Sequence, residues 1–138
     1  MLGEGDRLPT VTLADDEGVS VTTTDLLGGP LVLYFYPKDD TPGCTSEASQ
    51  FRDVYDRFKE KNARVVGVSR DSVESHQRFK KKFSIPFALL ADTDSKLYQA
   101  MGVNARTTFL IDAGGQILKV WPKVKVDQHA DEVLASLP

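Results

Sequence analysis

The sequence predicts an α/β domain: a mixed central sheet flanked by helices, with a β-hairpin extension at the N-terminus. Three observations carry this. The runs Leu31–Tyr36 (LVLYFY), Val65–Val68 (VVGV) and Thr107–Ile111 (TTFLI) are too short for helices and rich in β-branched and aromatic residues, so they read as strands buried on both faces. Between the first two, Thr45–Asn62 repeats its apolar residues at helical spacing. Further on, Asp112-Ala113-Gly114-Gly115 has the composition of a tight hairpin turn between two strand-like runs.

Taken in order, Val11–Thr23 reads as a small hairpin ahead of the first core strand. In Thr45–Asn62 the stripe Ala48, Phe51, Val54, Tyr55, Phe58 faces inward, and Arg52, Asp53, Asp56, Arg57, Lys59 and Glu60 form a solvated face. Strand, helix and strand at this spacing make a βαβ unit with a parallel pair. Next, Asp71 or Ser72 can cap a helix whose Val73, Phe79 and Phe83 point inward, with Lys80, Lys81 and Lys82 complementing the dipole at its end. Ile85–Ala91 predicts a short strand, and Ser95–Met101 a short helix closed by Gly102. Thr107–Ile111 and Gln116–Val120 flank the hairpin turn, and Trp121 with Pro122 covers the sheet edge beyond it. Val126–Leu137 is a last helix with Ala130, Val133, Leu134 and Leu137 inward. This βαβ unit followed by ββα, with insertions, is the order of a thioredoxin-like fold. No repeat, linker or low-complexity tract divides the chain, so residues 1–138 are expected to form a single domain.

Composition narrows the function. With 41% apolar and 27% charged residues and a net charge of −3, the chain is neither disordered nor basic enough to suggest a nucleic-acid partner. No apolar run approaches the roughly 18 residues of a membrane span, and MLGEGDRLP lacks a signal pattern, so a cytoplasmic protein without a membrane partner is expected. A single cysteine, Cys44, makes no internal disulfide.

Solitary cysteines are usually buried filler. Cys44 differs in its position, between the end of a parallel strand and the start of a helix, where α/β domains gather their chemistry. Thr41 can cap that helix and Pro42 suits its first position, which puts Cys44 in the first turn among unpaired amides that favour an anion. Lowering a thiol from ~8.5 to ~6 needs about 3.4 kcal/mol of thiolate stabilisation. A helix N-terminus supplies about 0.3–1 kcal/mol, at best ~2. A second donor is therefore required, preferably a fixed cation. Arg106 stands immediately before the Thr107–Ile111 strand, and an antiparallel pairing with the first core strand would bring it beside Cys44. Lys38 is nearer in sequence, but its flexible stem belongs in solvent.

The segment YPKDDTPGCTSEASQFRD closely resembles the active-site segment of the peroxiredoxins, in their bacterioferritin-comigratory or Q-type branch. Pro37, Thr41 and Cys44 meet that family's Pro-x-x-x-Thr-x-x-Cys pattern. GVSRDSVESH, IPFALLADTDSKL and RTTFLIDAGGQI extend the similarity over nearly the whole chain. The resemblance implies a thiol peroxidase that reduces hydrogen peroxide and organic hydroperoxides, with no metal, flavin or haem cofactor. It implies that Cys44 is the nucleophile, that Thr41 relays a hydrogen bond between thiolate and peroxide, that Pro37 shields the sulfur from water, and that Arg106 holds thiolate and peroxide together. Its members are monomers or weak homodimers.

Most of this branch recharges the oxidised sulfur with a second cysteine, and this chain does not have one. Ser49 and Lys80 occupy the two positions where the branch carries its resolving thiol. Residues five apart on a helix differ by about 7.5 Å in rise and ~140° in azimuth, beyond the roughly 6.8 Å Cα limit of a disulfide. Where the second cysteine is present, the helix has to unwind. Here the chain is either a one-cysteine enzyme recharged by thioredoxin, glutaredoxin or a low-molecular-weight thiol, or a form in which Ser49 replaces a cysteine by design. A Cys-x-x-Cys oxidoreductase is excluded by Thr41 and Glu47. A cysteine hydrolase would need a histidine base, and His76 and His129 fall in predicted helices away from the strand ends, as ordinary helix residues. The remaining alternative is a redox sensor or partner-binding module that forms a mixed disulfide at Cys44 without turnover.

Overall fold

In the computed structural model, which describes residues 1–138, the chain forms β1 (Thr12–Asp15), β2 (Ser20–Thr22), a 3-10 turn (Thr23–Leu26), β3 (Leu31–Phe35), α1 (Pro42–Asp53) and α2 (Tyr55–Glu60). It continues with β4 (Arg64–Ser69), α3 (Val73–Phe83), β5 (Leu89–Ala91), α4 (Lys96–Met101), β6 (Thr107–Ile111), β7 (Ile117–Trp121) and α5 (His129–Ala135). No helix is long and apolar enough to cross a membrane.

All five residues of β3 are fully buried, as the unbroken apolar run requires. Side chains alternate across a strand, so this run serves two cores. Val32, Tyr34 and Tyr36 pack with Phe51, Phe58 and Phe79 on one face. Leu31, Leu33 and Phe35 pack with Val68, Leu97, Met101 and Phe109 on the other. The strands lie in one mixed sheet, in the order β2-β1-β5-β4-β3-β6-β7. β3, β4 and β5 are parallel, while β6 runs antiparallel to β3, and β7 to β6. The expected N-terminal hairpin is β1 with β2, and it adds to the sheet through β5.

Several boundaries differ from the sequence expectation. The helix carrying the Thr45–Asn62 stripe starts at Pro42 with Thr41 at the cap position, as the sequence leads one to expect, because proline's fixed φ suits the first helical position. It breaks at Val54 (φ −114°, ψ 11°), where a β-branched residue, a weak helix former, serves as the cap between α1 and α2. Phe51 and Phe58, one from each piece, are still fully buried. The strand expected over Ile85–Ala91 shortens to Leu89–Ala91, since only three residues find partners on β4. The run Gln116–Val120 becomes Ile117–Trp121, and the last helix shortens to His129–Ala135 with Ala130, Val133, Leu134 and Leu137 all buried. Ser72 is the cap of α3, its hydroxyl accepting from Ser75 N at 3.1 Å. In the lysine run, Lys80 pairs with Asp16 at 3.0 Å and Lys82 with Asp40 at 2.8 Å, so two of the three charges have specific partners beyond the helix end.

The register sets Tyr34 of β3 beside Gly67 of β4. A Cβ at Gly67 would lie 2.8 Å from Leu89 Cδ2 and 2.9 Å from Tyr34 Cζ, so the tyrosine ring occupies the space that any other residue would claim. Gly67→Ala should therefore cost about 1–3 kcal/mol of stability through overpacking. An unchanged urea midpoint would show that the Tyr34 ring can move aside.

Candidate active site

The antiparallel register pairs Phe35, the last residue of β3, with Thr107, the first of β6. The chain entering β6 thus meets the chain leaving β3. Thr41 occupies the cap position of α1 in extended backbone (φ −100°, ψ 155°), Pro42 is the first helical residue, and Cys44 follows in the first turn. The amides of Gly43 and Cys44 have no acceptor in the fold, as expected at a helix start. Cys44 is 2% exposed.

Arg106 reaches into this turn. Its Nη2 donates to Cys44 Sγ at 3.3 Å, and its Nη1 donates to Glu47 Oε1 at 2.6 Å. Gly43 makes the approach possible: a Cβ there would stand 3.1 Å from Arg106 Nη2. The arginine's own backbone is tied down, because Val124 N donates to Arg106 O at 2.8 Å and the Thr107 hydroxyl bonds to Ala105 O and Pro122 O.

The expected residues are brought together unevenly. Cys44 and Arg106 are in contact. The Thr41 hydroxyl donates to Lys38 O at 2.9 Å, neither capping the helix nor bonding the sulfur, while Lys38 itself is exposed. Pro37 is exposed and borders a recess of about 80 Å³ with Tyr36, Arg70, Tyr98, Asn104 and Ala105, a lining that does not include Cys44. Ser49 is half-buried on α1, within unbroken helix from Cys44.

Glu47 was not singled out by sequence reasoning. It is 1% exposed, and burial pushes its carboxyl up to about 7 against the opposing pull of the Arg106 charge and hydrogen bond. Its Oε2 and the hydroxyl of Tyr34 are both buried without a partner. The available signal was spacing: Glu47 lies three residues after Cys44, so both point to one helix face. The lone carboxylate sits beside Ala48 on the apolar stripe rather than among the solvated charges.

The histidines are not ordinary helix residues. Both are buried, with partners on strands or at their ends. His129 Nε2 lies 2.8 Å from Thr108 Oγ1 on β6, with its ring edge-on to Phe51 and Trp121. Burial and then the Arg106 charge lower it to about 4, so it is neutral near pH 7. Neither histidine hydrogen-bonds Cys44. The arrangement is a sulfur, a helix start and a guanidinium. It suits an anion and lacks the histidine base of a cysteine hydrolase.

Comparison with known proteins agrees. The AhpC/TSA family model matches residues 5–120. Peroxiredoxin Bcp of Bacillus subtilis is 45% identical, over 96% of this chain and 93% of its own length. The structure of peroxidoxin BcpB from Mycobacterium tuberculosis superposes with a TM-score of 0.93 at 35% identity, over 98% of this chain and 96% of that one. The Xanthomonas campestris bacterioferritin comigratory protein, studied for its alkyl peroxide reduction activity, gives 0.90 at 38% identity, over 95% and 96%.

A carboxyl raised from 4.5 to about 7 favours the fold while it is protonated. That contribution is complete below the unfolded value and disappears as pH rises through about 7. Between pH 4.5 and 8 the wild type should lose up to roughly 3 kcal/mol that Glu47→Gln retains. Urea unfolding of both proteins at the two pH values checks this, and parallel pH profiles would assign the loss to other groups.

Proposed function

The chain belongs to the AhpC/TSA family and is a peroxiredoxin, an enzyme of the thiol-peroxidase class; we propose that its Cys44 thiolate reduces hydrogen peroxide and organic hydroperoxides to water and alcohols. The observation that carries this reading is the Arg106 guanidinium, 3.3 Å from Cys44 Sγ at the start of α1.

The thiolate attacks the hydroperoxide's terminal oxygen. An S–O bond forms as the O–O bond breaks, the leaving oxygen takes up a proton, and Cys44 becomes a sulfenic acid. Arg106 suits both ends of this step, since a guanidinium 3.3 Å from the sulfur can also donate to the oxygen on which charge develops. Thr41 gives its hydroxyl proton to Lys38 O, which leaves its oxygen free to accept from the peroxide O–H. For Pro37, a role in keeping water from the sulfur rests on its match to the family's Pro-x-x-x-Thr-x-x-Cys pattern.

With Ser49 and Lys80 where a resolving cysteine would stand, the sulfenic acid awaits an external thiol. Thioredoxin, glutaredoxin or a low-molecular-weight thiol forms a mixed disulfide with Cys44 and releases water, and a second thiol restores the reduced form. Recharging by thiols favours a reducing compartment, here the cytoplasm. The assembly proposed is the monomer or weak homodimer that the resemblance of the active-site segment implies.

Treatment with one equivalent of hydrogen peroxide or cumene hydroperoxide should add a single oxygen to Cys44, read by mass, and Cys44→Ser should abolish the gain. Arg106→Ala should slow oxidation by about 10²–10³-fold. Parallel turnover assays with thioredoxin, glutaredoxin and glutathione identify the reductant. Peroxide consumption that survives Cys44→Ser would end this reading. Restoring a thiol by Ser49→Cys should give an internal disulfide on oxidation, with loss of helical circular dichroism as α1 unwinds, because two residues five apart on an intact helix are out of bonding range.

A further inference from the structure

His76 lies on α3, has no exposed surface, and takes no part in the chemistry described above. Its Nε2 lies 2.9 Å from Leu90 O on β5, and its Nδ1 lies 2.7 Å from Asp39 Oδ2. A carbonyl oxygen only accepts, so Nε2 carries a proton. On the other side, Asp39 already accepts from the Tyr36 hydroxyl at 2.6 Å and the Ser75 hydroxyl at 2.8 Å. An ionised Asp39 facing a bare Nδ1 lone pair at 2.7 Å would be a buried contact between two acceptors. One further proton must therefore sit between Nδ1 and Asp39, whichever of the two holds it.

Asp39 lies in the loop between β3 and α1, the segment that carries Pro37 and Thr41 to Cys44. Its amide donates to Asp71 Oδ2 at 2.8 Å, and Asp71 in turn accepts from the Ser69 hydroxyl at 2.6 Å. The inner side of the loop is thus held against α3 and the end of β4 through this one aspartate. The start of the loop is anchored separately at Tyr36, whose amide donates to Val68 O at 3.0 Å and whose carbonyl accepts from the Tyr98 hydroxyl at 2.8 Å, and the exposed Lys82–Asp40 pair adds to the attachment on the outside.

We propose that Asp39 and His76 are a proton-dependent clamp that positions the active-site loop: with the shared proton present the loop is closed against α3, and without it the loop and the first turn of α1 are released. The groups facing the imidazole are the Asp39 carboxylate from the loop, the Asp71 carboxylate beyond β4, the Leu90 carbonyl from β5 and the Tyr36 ring at the end of β3. Burial opposes the charged ring, but the Asp39 hydrogen bond and charge, the Leu90 carbonyl and the Asp71 charge outweigh it and raise the histidine above its ordinary value. Burial, with Tyr34 and Asp39 adding to it, keeps Tyr36 protonated and hence a donor. A raised value places the release on the alkaline side. The consequence for turnover rests on Cys44 being the reacting sulfur. At 2% exposure it cannot meet a protein thiol unless this turn moves, so the clamp divides a closed, peroxide-reactive form from an open, reducible one.

Asp39→Asn is the decisive variant. Its amide can donate to Nδ1 of a neutral His76 while its carbonyl accepts from Tyr36, so the clamp closes without the extra proton. The test is hydrogen exchange of the residue 39 amide, which donates to Asp71 Oδ2, with the Tyr36 amide at the start of the loop followed alongside, in the reduced full-length chain at several pH values, corrected for intrinsic exchange, together with nitrogen-15 shifts of the His76 ring. In the wild type, protection should fall about tenfold or more as pH rises through the His76 transition. In Asp39→Asn it should stay high and flat. Because loop amides and not turnover are followed, the result stands apart from peroxidase activity. Wild-type protection that ignores the His76 transition overturns the proposal, as does an Asp39→Asn chain that folds with the wild-type pH step intact. Should that variant fail to fold, His76→Gln decides. A glutamine side chain does not titrate, so an alkaline step that persists in this second variant also overturns the proposal, and its loss supports it.

Discussion

One cation between two acidic groups organises the site. Arg106 donates to a sulfur with one nitrogen and to a carboxyl with the other, and both partners stand on the same face of α1. The charge is effective because it is held: its backbone is fixed by the strap after β7, its path is kept open by Gly43, and water is largely excluded. A guanidinium suits this position because its planar fork serves two acceptors at once, which a lysine ammonium on a flexible stem would not do with the same geometry. How much of that charge the sulfur receives depends on whether Glu47 is ionised, so the carboxyl works as a counterweight in the electrostatics of the site.

The sheet supplies the rigidity. β3 is buried from both sides, and its partners β4 and β6 fix where its end projects. The helix packed above that end is less settled. Beneath α1, Glu47 Oε2 and the Tyr34 hydroxyl are buried without hydrogen bonds, each a desolvated polar group that weakens local packing. The deficit lies at the seam between α1 and β3, where the proposed recharging by an outside thiol would need the helix to open. A stiff sheet under an imperfectly satisfied helix keeps the closed geometry well defined while leaving the opening inexpensive.

Much of this was legible in the chain itself. β3 stood out because burial on both faces leaves an unbroken apolar run, β6 through its β-branched and aromatic residues, and the antiparallel register then carried Arg106 to Cys44. The break at Val54 was hidden, since neither glycine nor proline marks it. Glu47 was legible in principle from its spacing to Cys44, yet a glutamate in an amphipathic helix looks like any solvated charge until its burial is known. The clamp was illegible for a different reason. His76 meets Asp39 across a separation of 37 residues and Leu90 across 14, and no local pattern records a contact made by the packing of three distant segments.

The two margins of the sheet have a consequence of their own. An unpaired strand is a template on which another chain can add, and proteins at high concentration must blunt it. Here one margin is β2, only three residues long. The other is β7, whose pairing with β6 slips at Leu110 and Ile111 and whose Lys119 carries its ammonium out over the Trp121 ring. Neither offers a long, flat, uncharged ladder. The outer strands are thus unfit for fibrous growth, whatever the helix over the central strand does.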